Sequence, residues 1–359
     1  MTFENRYSWL DRMLHRISFS TNGLQLVLSD IEDSMFAKQL SDIEINKPVF
    51  VTAIPRAGTT LLLELLVNQG EFVTHTYRNM PFVLVPLLWA KFSDKFRNYG
   101  LAQERAHGDG MQITVDSPEA FEEIVWKAFW KDHYSTESII PWGSEDSPEF
   151  TTFIYSHIRK IIQLHRQAGR PYSRYVSKNN LNIARIPYLM KLFPDARIVI
   201  PFRDPVKHAA SLLLQHKNFL KIHKEDTFAK KYMEAIGHYD FGENLRPVDF
   251  NHWLGRASDM KPDTLEFWLR YWLASYQILL SESASQVVFF NFDLFCHQPD
   301  LSLAILAECA QLHEPDKLVQ QASKIRSARS HDVNLDGIGK PLLDEINDIY
   351  QVLLKESVA

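Results

Sequence analysis

The stretch Pro48 to Asn68 reads Pro-Val-Phe-Val-Thr-Ala-Ile-Pro-Arg-Ala-Gly-Thr-Thr-Leu-Leu-Leu-Glu-Leu-Leu-Val-Asn, and it constrains the fold more than any other part of the chain. Val49 to Ala53 is a short apolar, β-rich run that predicts a buried strand. Pro55, Arg56, Ala57 and Gly58 break it, and Thr59 and Thr60 open a run of strong helix formers, Leu61 to Leu66. A strand, a tight Gly-containing turn and a helix N-terminus in succession form an anion site. Free backbone N–H groups and the positive end of the helix dipole point into the turn. Two hydroxyls and a guanidinium stand at the same spot, and a guanidinium matches phosphate oxygens in a bidentate way. The turn is not a Walker A loop, because the first Gly and the Lys of G-x-x-x-x-G-K-[ST] are missing. By itself it also fits an ordinary strand-to-helix turn in which Gly and Thr serve only as caps.

The rest of the chain supplies the alternation such a unit needs. Tyr172 to Ser177, Arg197 to Pro201 and Val287 to Asn291 read as further strands. Phe150 to Ala168, Ile183 to Phe193, Pro205 to Phe219, Thr264 to Ser281, Leu301 to Leu312 and Pro341 to Leu354 read as helices. This predicts parallel strands with right-handed crossovers, with ligand at their carboxyl ends. Arg56, the turn after Ser177 and the turn after Pro201 then face one crevice. Tyr7 to Phe19 (Trp9, Leu10, Met13, Leu14, Ile17) and Leu24 to Leu40 (apolar stripe Leu24, Leu28, Ile31, Met35) predict an N-terminal helical extension. Pro118 to Lys131 reads as a helix with Glu119, Glu122 and Glu123 in its first turns, where acids suit the dipole. Glu71 to Met80 reads as a loop, Met80 to Lys95 as aromatic-rich helix or loop, and Tyr99 to Ser117 as an exposed loop. Pro141 to Pro148 reads as a turn-rich break, and Lys221 to Lys261 as a charged, irregular lid or insertion. With no repeat or linker in view, we expect one domain over residues 1–359: extension 1–47, core 48–312 and C-terminal segment 313–359.

The second informative stretch is Arg197-Ile-Val-Ile-Pro-Phe-Arg-Asp-Pro-Val-Lys-His-Ala-Ala-Ser211. A strand ends in Arg203, Asp204-Pro205 starts a helix, and Ser211 lies inside it. Singly, Arg203 reads as half of an ion pair and Ser211 as a mid-helix serine bonding back to a carbonyl. Together the two windows resemble the sulfotransferase family. Pro-Arg-Ala-Gly-Thr-Thr-Leu is similar to its 5′-phosphosulfate loop in the variant that carries Arg, as in protein-tyrosine and many bacterial sulfotransferases. The Arg203–Ser211 spacing is similar to its 3′-phosphate site. Phe193-Pro-Asp-Ala-Arg197 and Phe290-Asn-Phe-Asp-Leu294 with Gln298-Pro299 resemble its flanking segments.

The resemblance implies a P-loop-like three-layer α/β fold, with a central mostly parallel sheet flanked by helices. It implies the donor 3′-phosphoadenosine 5′-phosphosulfate (PAPS), the product adenosine 3′,5′-bisphosphate and no metal requirement. The nucleotide would be held by Arg56, Ala57, Gly58, Thr59, Thr60, Arg203 and Ser211. In-line sulfuryl transfer needs cations at the leaving group and a base at the acceptor. Arg56 is the first cation. Lys178, in Tyr175-Val-Ser-Lys-Asn-Asn-Leu-Asn182, is the second, although Asn179-Asn180 replaces the usual Asp-Pro or Thr-Pro. His75-Thr76-Tyr77-Arg78 stands where the tyrosine enzymes have Glu-Glu-Thr-Arg, which makes His75 the expected base; His107, Glu122 and Glu123 are rivals.

Hydrophobic content of 45% supports a sizeable core, and a net charge of −5 argues against a general nucleic-acid binder. Cys296 and Cys309 read as free thiols of a reducing compartment. The first residues lack an apolar h-region and Pro81 to Ala90 is too short to span a bilayer, so we expect a cytoplasmic protein without an integral membrane segment. The expected partner is a small-molecule or glycan acceptor, with homo-oligomerisation open. Two competing readings are a P-loop-type phosphotransferase, disfavoured by the missing loop Lys and the lack of a Walker-B Asp, and a catalytically silent nucleotide-binding module.

Overall fold

The computed structural model describes residues 9–20, 22–93, 103–104, 112–114, 116–169, 173–256, 260–282, 284–326 and 333–358. Its strands are β1 (Val49–Val51), β2 (Phe72–Val73), β3 (Gln103–Glu104), β4 (Gln112–Ile113), β5 (Arg174–Lys178), β6 (Arg197–Phe202) and β7 (Val287–Asn291). Five of them form one sheet in the order β2-β5-β1-β6-β7, with every pairing parallel. β3 and β4 pair separately and antiparallel.

The two-residue period of the strands separates two cores. Phe50, Val73, Tyr175, Ile198, Ile200 and Phe289 enter one cluster. Their neighbours Val49, Val51, Phe72, Val176, Val199 and Phe290 enter the other. Since successive side chains of a strand point to opposite faces, each core lies on its own side of the sheet, and the fold has three layers. The helix Thr59–Gln69 covers the second face with Leu62, Leu63, Leu65 and Leu66. Full burial of each such leucine contributes roughly 1.5–3 kcal/mol. The helices Pro148–Gln167, Pro205–Glu225 and Leu265–Ser281 supply the larger core on the first face, with Ile154, Ile158, Leu212, Phe219, Trp268 and Trp272.

Several expectations need correction. The helix Asn22–Ser41 packs through the opposite face from the one its apolar stripe suggested: Leu24, Ile31 and Met35 are exposed, whereas Gln25, Ser29, Glu32, Phe36 and Leu40 are buried. Lys160 explains this orientation. It is buried in the helix Pro148–Gln167, and its ammonium lies 3.1 Å from Glu32 and donates to Ser29 Oγ at 2.6 Å. A buried cation that lost these partners would cost several kcal/mol, more than the exposed stripe forgoes by facing water. Residues 221–261 are largely helical: Pro205–Glu225 runs on, and Thr227–Ala235 follows, with Asp226 accepting from the Phe228 and Ala229 amides. The stretch 71–80 contains the edge strand β2 and a 3₁₀ turn, Tyr77–Asn79. The helix expected from Pro118 covers only Glu123–Phe129, and Glu122 and Glu123 point into the core rather than to water. Most of the Tyr99–Ser117 loop, His107 included, lies outside the described residues. Among the described residues no helix is long and apolar enough to cross a membrane.

Candidate functional site

The central strand β1 delivers the loop. After Val51 the chain runs through Thr52 to Pro55 and turns at Arg56 and Gly58, both with left-handed backbone (φ 69° and 96°), while Ala57 between them keeps the ordinary hand. Alternating hands turn successive N–H groups to one side, which makes a concavity for an anion. Gly58 has a second reason to be glycine: a Cβ there would overlap the Phe292 ring. The helix Thr59–Gln69 begins directly behind it, so its first N–H groups open into the same concavity.

The second sequence window closes on this loop from the side of β6. Arg203 Nη1 donates to the Arg56 carbonyl at 3.2 Å, and Arg56 Nε donates to Ser211 Oγ at 3.4 Å. His208, unremarked in the sequence reading, donates from Nε2 to the Pro55 carbonyl at 2.7 Å. Burial, and then the neighbouring Arg203 and Arg56 charges, push this imidazole down to about 3, so it is neutral at pH 7 and carries its proton on Nε2. Its signal in the sequence was only a histidine one helical turn before Ser211. Among the described residues Arg203 Nε has no hydrogen-bond partner, and it lies 3.6 Å from Asp293 Oδ1. The other Asp293 oxygen accepts from the Asp204 amide at 2.6 Å, while Asp204 caps its helix by accepting from Lys207 N at 2.9 Å. The ion pair weighed for Arg203, with Asp204 or another carboxylate, is made with Asp293.

On the other flank Lys178 ends β5 in register with Val51. Two residues on, Asn180 Oδ1 accepts from Thr59 Oγ1 at 3.3 Å, and the Asn180 carbonyl accepts from Thr52 Oγ1 at 3.3 Å. Arg56, Gly58, Thr60, Lys178, Arg203 and Ser211 are each half-buried, while Ala57 and Thr59 are buried. The structure thus brings the loop, Arg203 and Ser211 together, and seats Lys178 on the neighbouring strand. A concavity of N–H donors, a guanidinium whose Nε makes no hydrogen bond among the described residues and several hydroxyls is a donor set fitted to phosphate groups.

His75 is not part of that assembly. It is 1% exposed, and its Nε2 lies 2.8 Å from His157 Nε2. Its Nδ1 faces the Tyr175 hydroxyl at 3.4 Å. Burial, and then His165, hold its imidazole down at about 3. Both ring nitrogens are engaged in the core, so the expectation that His75 reaches an acceptor is corrected here. Glu122 is enclosed too, accepting from Tyr175 at 2.7 Å and from Trp126 at 3.1 Å. Glu123 pairs with buried Arg185 and accepts from Asn179 Nδ2 at 2.6 Å. Among the described residues no three His, Cys, Asp or Glu side chains are grouped to hold a metal ion.

A family model described as "Sulfotransferase family" matches residues 48–241, from the start of β1 to just beyond Asp240. The omega-hydroxy-beta-dihydromenaquinone-9 sulfotransferases of Mycobacterium bovis and Mycobacterium tuberculosis are 22% identical over 240 residues. That match covers 59% of this chain and 58% of each relative, so the chain spans little more than half of their length. In fold, the crystal structure of sulfotransferase STF9 from Mycobacterium avium superposes with a TM-score of 0.50 at 14% identity, covering 90% of this chain and 80% of that one. The matched segment takes in more than half of the chain and every residue that converges on the Arg56 loop except Phe292 and Asp293, and on that ground the chain belongs to the sulfotransferase family.

Proposed function

We propose that the protein transfers a sulfuryl group from PAPS to a hydroxyl or amine, by in-line displacement and without a metal. When bound, the donor supplies an activated sulfuryl group, and everything else is positioning and charge stabilisation by the chain. The observation that supports this reading best is the closure of the Arg203–Ser211 window onto the Arg56 loop, through the contacts of Arg203 with the Arg56 carbonyl and of Arg56 with Ser211. Two phosphate-suited clusters on adjacent strand ends match a nucleotide that carries phosphates at both its 5′ and 3′ positions.

In this reading the loop N–H groups, Thr59 and Thr60 hold the 5′ side, and Arg203 and Ser211 hold the 3′-phosphate. Arg56 and Lys178 stabilise charge that grows on the departing oxygen. The acceptor is a small molecule, a lipid or a glycan; the curated relatives are named for a hydroxylated menaquinone, which motivates including lipid alcohols. The test is transfer of labelled sulfate from PAPS to pools of alcohols, phenols, glycans and peptides, with chelator present. Labelled product in any pool supports the reading. Phosphate transfer from ATP with Mg²⁺ and no sulfate transfer would favour the phosphotransferase alternative, and nucleotide binding without any transfer would favour the silent module.

A further inference from the structure

His75, Glu122 and Glu123 are closed into the core and His107 lies outside the described residues, so among the described residues the acceptor side of the crevice still wants a base. We propose that Asp240 is that base, that Asn180 orients it, and that the acceptor is a weakly acidic alcohol on an apolar carrier. The inference rests on the sulfotransferase reading above.

Asn180 links the loop to this carboxylate. Its Oδ1 accepts from Thr59 Oγ1 at 3.3 Å, and its Nδ2 donates to Asp240 Oδ2 at 2.9 Å. The two contacts fix the amide orientation, since the flipped amide would set its oxygen against the carboxylate. Asp240 thereby stands one side chain away from the first residue of the phosphate-loop helix. His238 Nε2 lies 3.7 Å from the same Oδ2, and its ring stacks on Phe219. Oδ1 carries no hydrogen bond to any of the described residues, and it is the oxygen left for a proton. The Asp240 side chain is 11% exposed, so it is shielded from bulk water yet reachable by a ligand.

The surroundings name the class of acceptor. Asp240 lines a cleft together with Pro55 of the loop, Leu181, Tyr239, Leu245, Arg246, Pro247 and Tyr271. The walls are mostly apolar and aromatic, with the Asp240 carboxylate and the Arg246 guanidinium set into them, which suits an alcohol on a hydrocarbon or aromatic body. In the step itself, Asp240 takes the proton of the acceptor hydroxyl as that oxygen bonds to sulfur. The bond from sulfur to the 5′-phosphate oxygen breaks, and adenosine 3′,5′-bisphosphate leaves with that electron pair. A base of this kind contributes about 10²- to 10⁴-fold.

The experiment compares two acceptors of different acidity with PAPS as donor. One is 1-dodecanol, whose proton must be removed; the other is 4-nitrophenol, which is largely ionised in mildly alkaline buffer. Asp240→Asn should lower dodecanol transfer at least about a hundredfold more than nitrophenol transfer. Its affinity for adenosine 3′,5′-bisphosphate, by calorimetry, should stay within about twofold of the unmutated protein, and Asn180→Ala should show the same acceptor-dependent loss in weaker form. Equal losses with both acceptors, undiminished dodecanol transfer, loss of nucleotide affinity in Asp240→Asn, or an unmutated protein that sulfates only the phenol would each overturn the assignment. An unmutated protein that fails to bind the bisphosphate would instead defeat the underlying reading and not this one.

Discussion

The Arg56 loop and the cluster behind β5 are built from the same kinds of side chain, yet they use them in opposite ways. At the loop, Arg56, Arg203, Ser211 and Lys178 are half-buried, with Arg56 donating to Ser211 and Arg203 to the Arg56 carbonyl. Behind β5, Arg185 is 0% exposed and spends its guanidinium on Glu123, on Asn182 at 2.9 Å and on the Trp126 ring at 3.9 Å. Charges that satisfy each other deep inside hold a core together, whereas those at the half-buried loop stand where solvent reaches them. The difference lies in the partners and not in the residue types, and substitutions on the two sides should therefore fail differently.

The largest effect expected is on the closed side. Glu123→Ala strands the Arg185 charge in the core and should cost about 3–5 kcal/mol of unfolding free energy, read from the denaturant midpoint. A loss below about 1 kcal/mol would mean that water reaches the pair. On the open side, Arg56→Ala should leave the melting temperature close to that of the unmutated protein and lower turnover roughly 10²- to 10³-fold. Unchanged turnover would remove Arg56 from the site. Gly58→Ala tests the backbone of the loop itself, because φ 96° and the Phe292 ring both exclude a Cβ. It should cost on the order of 1–3 kcal/mol and weaken nucleotide binding, and a variant that melts and binds normally would contradict the packing described.

The smallest effect at neutral pH belongs to His75. Its imidazole is depressed from 6.5 to about 3, and burial also holds that of His157 well below its ordinary value. For a group lowered in the folded state, stability is present above the unfolded value and is lost as pH falls through the folded one. Acid should therefore destabilise the protein between about 6.5 and about 3, and His75→Gln should make the dependence of the urea midpoint on pH shallower across that window while leaving bisphosphate affinity unchanged. A slope that does not change would mean that His75 is protonated or exposed in solution.

The same contrast explains what could be read from the sequence. The loop is local: strand, turn, glycine and capping threonines are contiguous, so their spacing reports their geometry, and the Arg203–Ser211 window is one strand end and the first turns of its helix. The closed cluster is not local. Glu123 meets Arg185 across 62 positions, and Asp240 meets Asn180 across 60, so no window displays either pair. His75 was read from a motif-like segment, but whether a histidine faces solvent or another histidine is decided by the helix Pro148–Gln167 laid over it. The N-terminal helix misled for a related reason. Its apolar period was plain, but the buried Lys160 outweighed it, and that lysine lies 128 residues after Glu32.

The central claim is that the Arg56 loop and the Arg203–Ser211 window form a single nucleotide site that recognises a 3′-phosphate. The most direct measurement is calorimetric titration of the unmutated protein with adenosine 3′,5′-bisphosphate, 5′-AMP and ATP in metal-free buffer, repeated with Arg203→Ala. The account predicts that the bisphosphate binds most tightly without Mg²⁺, and that Arg203→Ala removes that preference at a cost of about 2–5 kcal/mol. Equal affinity of the unmutated protein for the bisphosphate and 5′-AMP would contradict it.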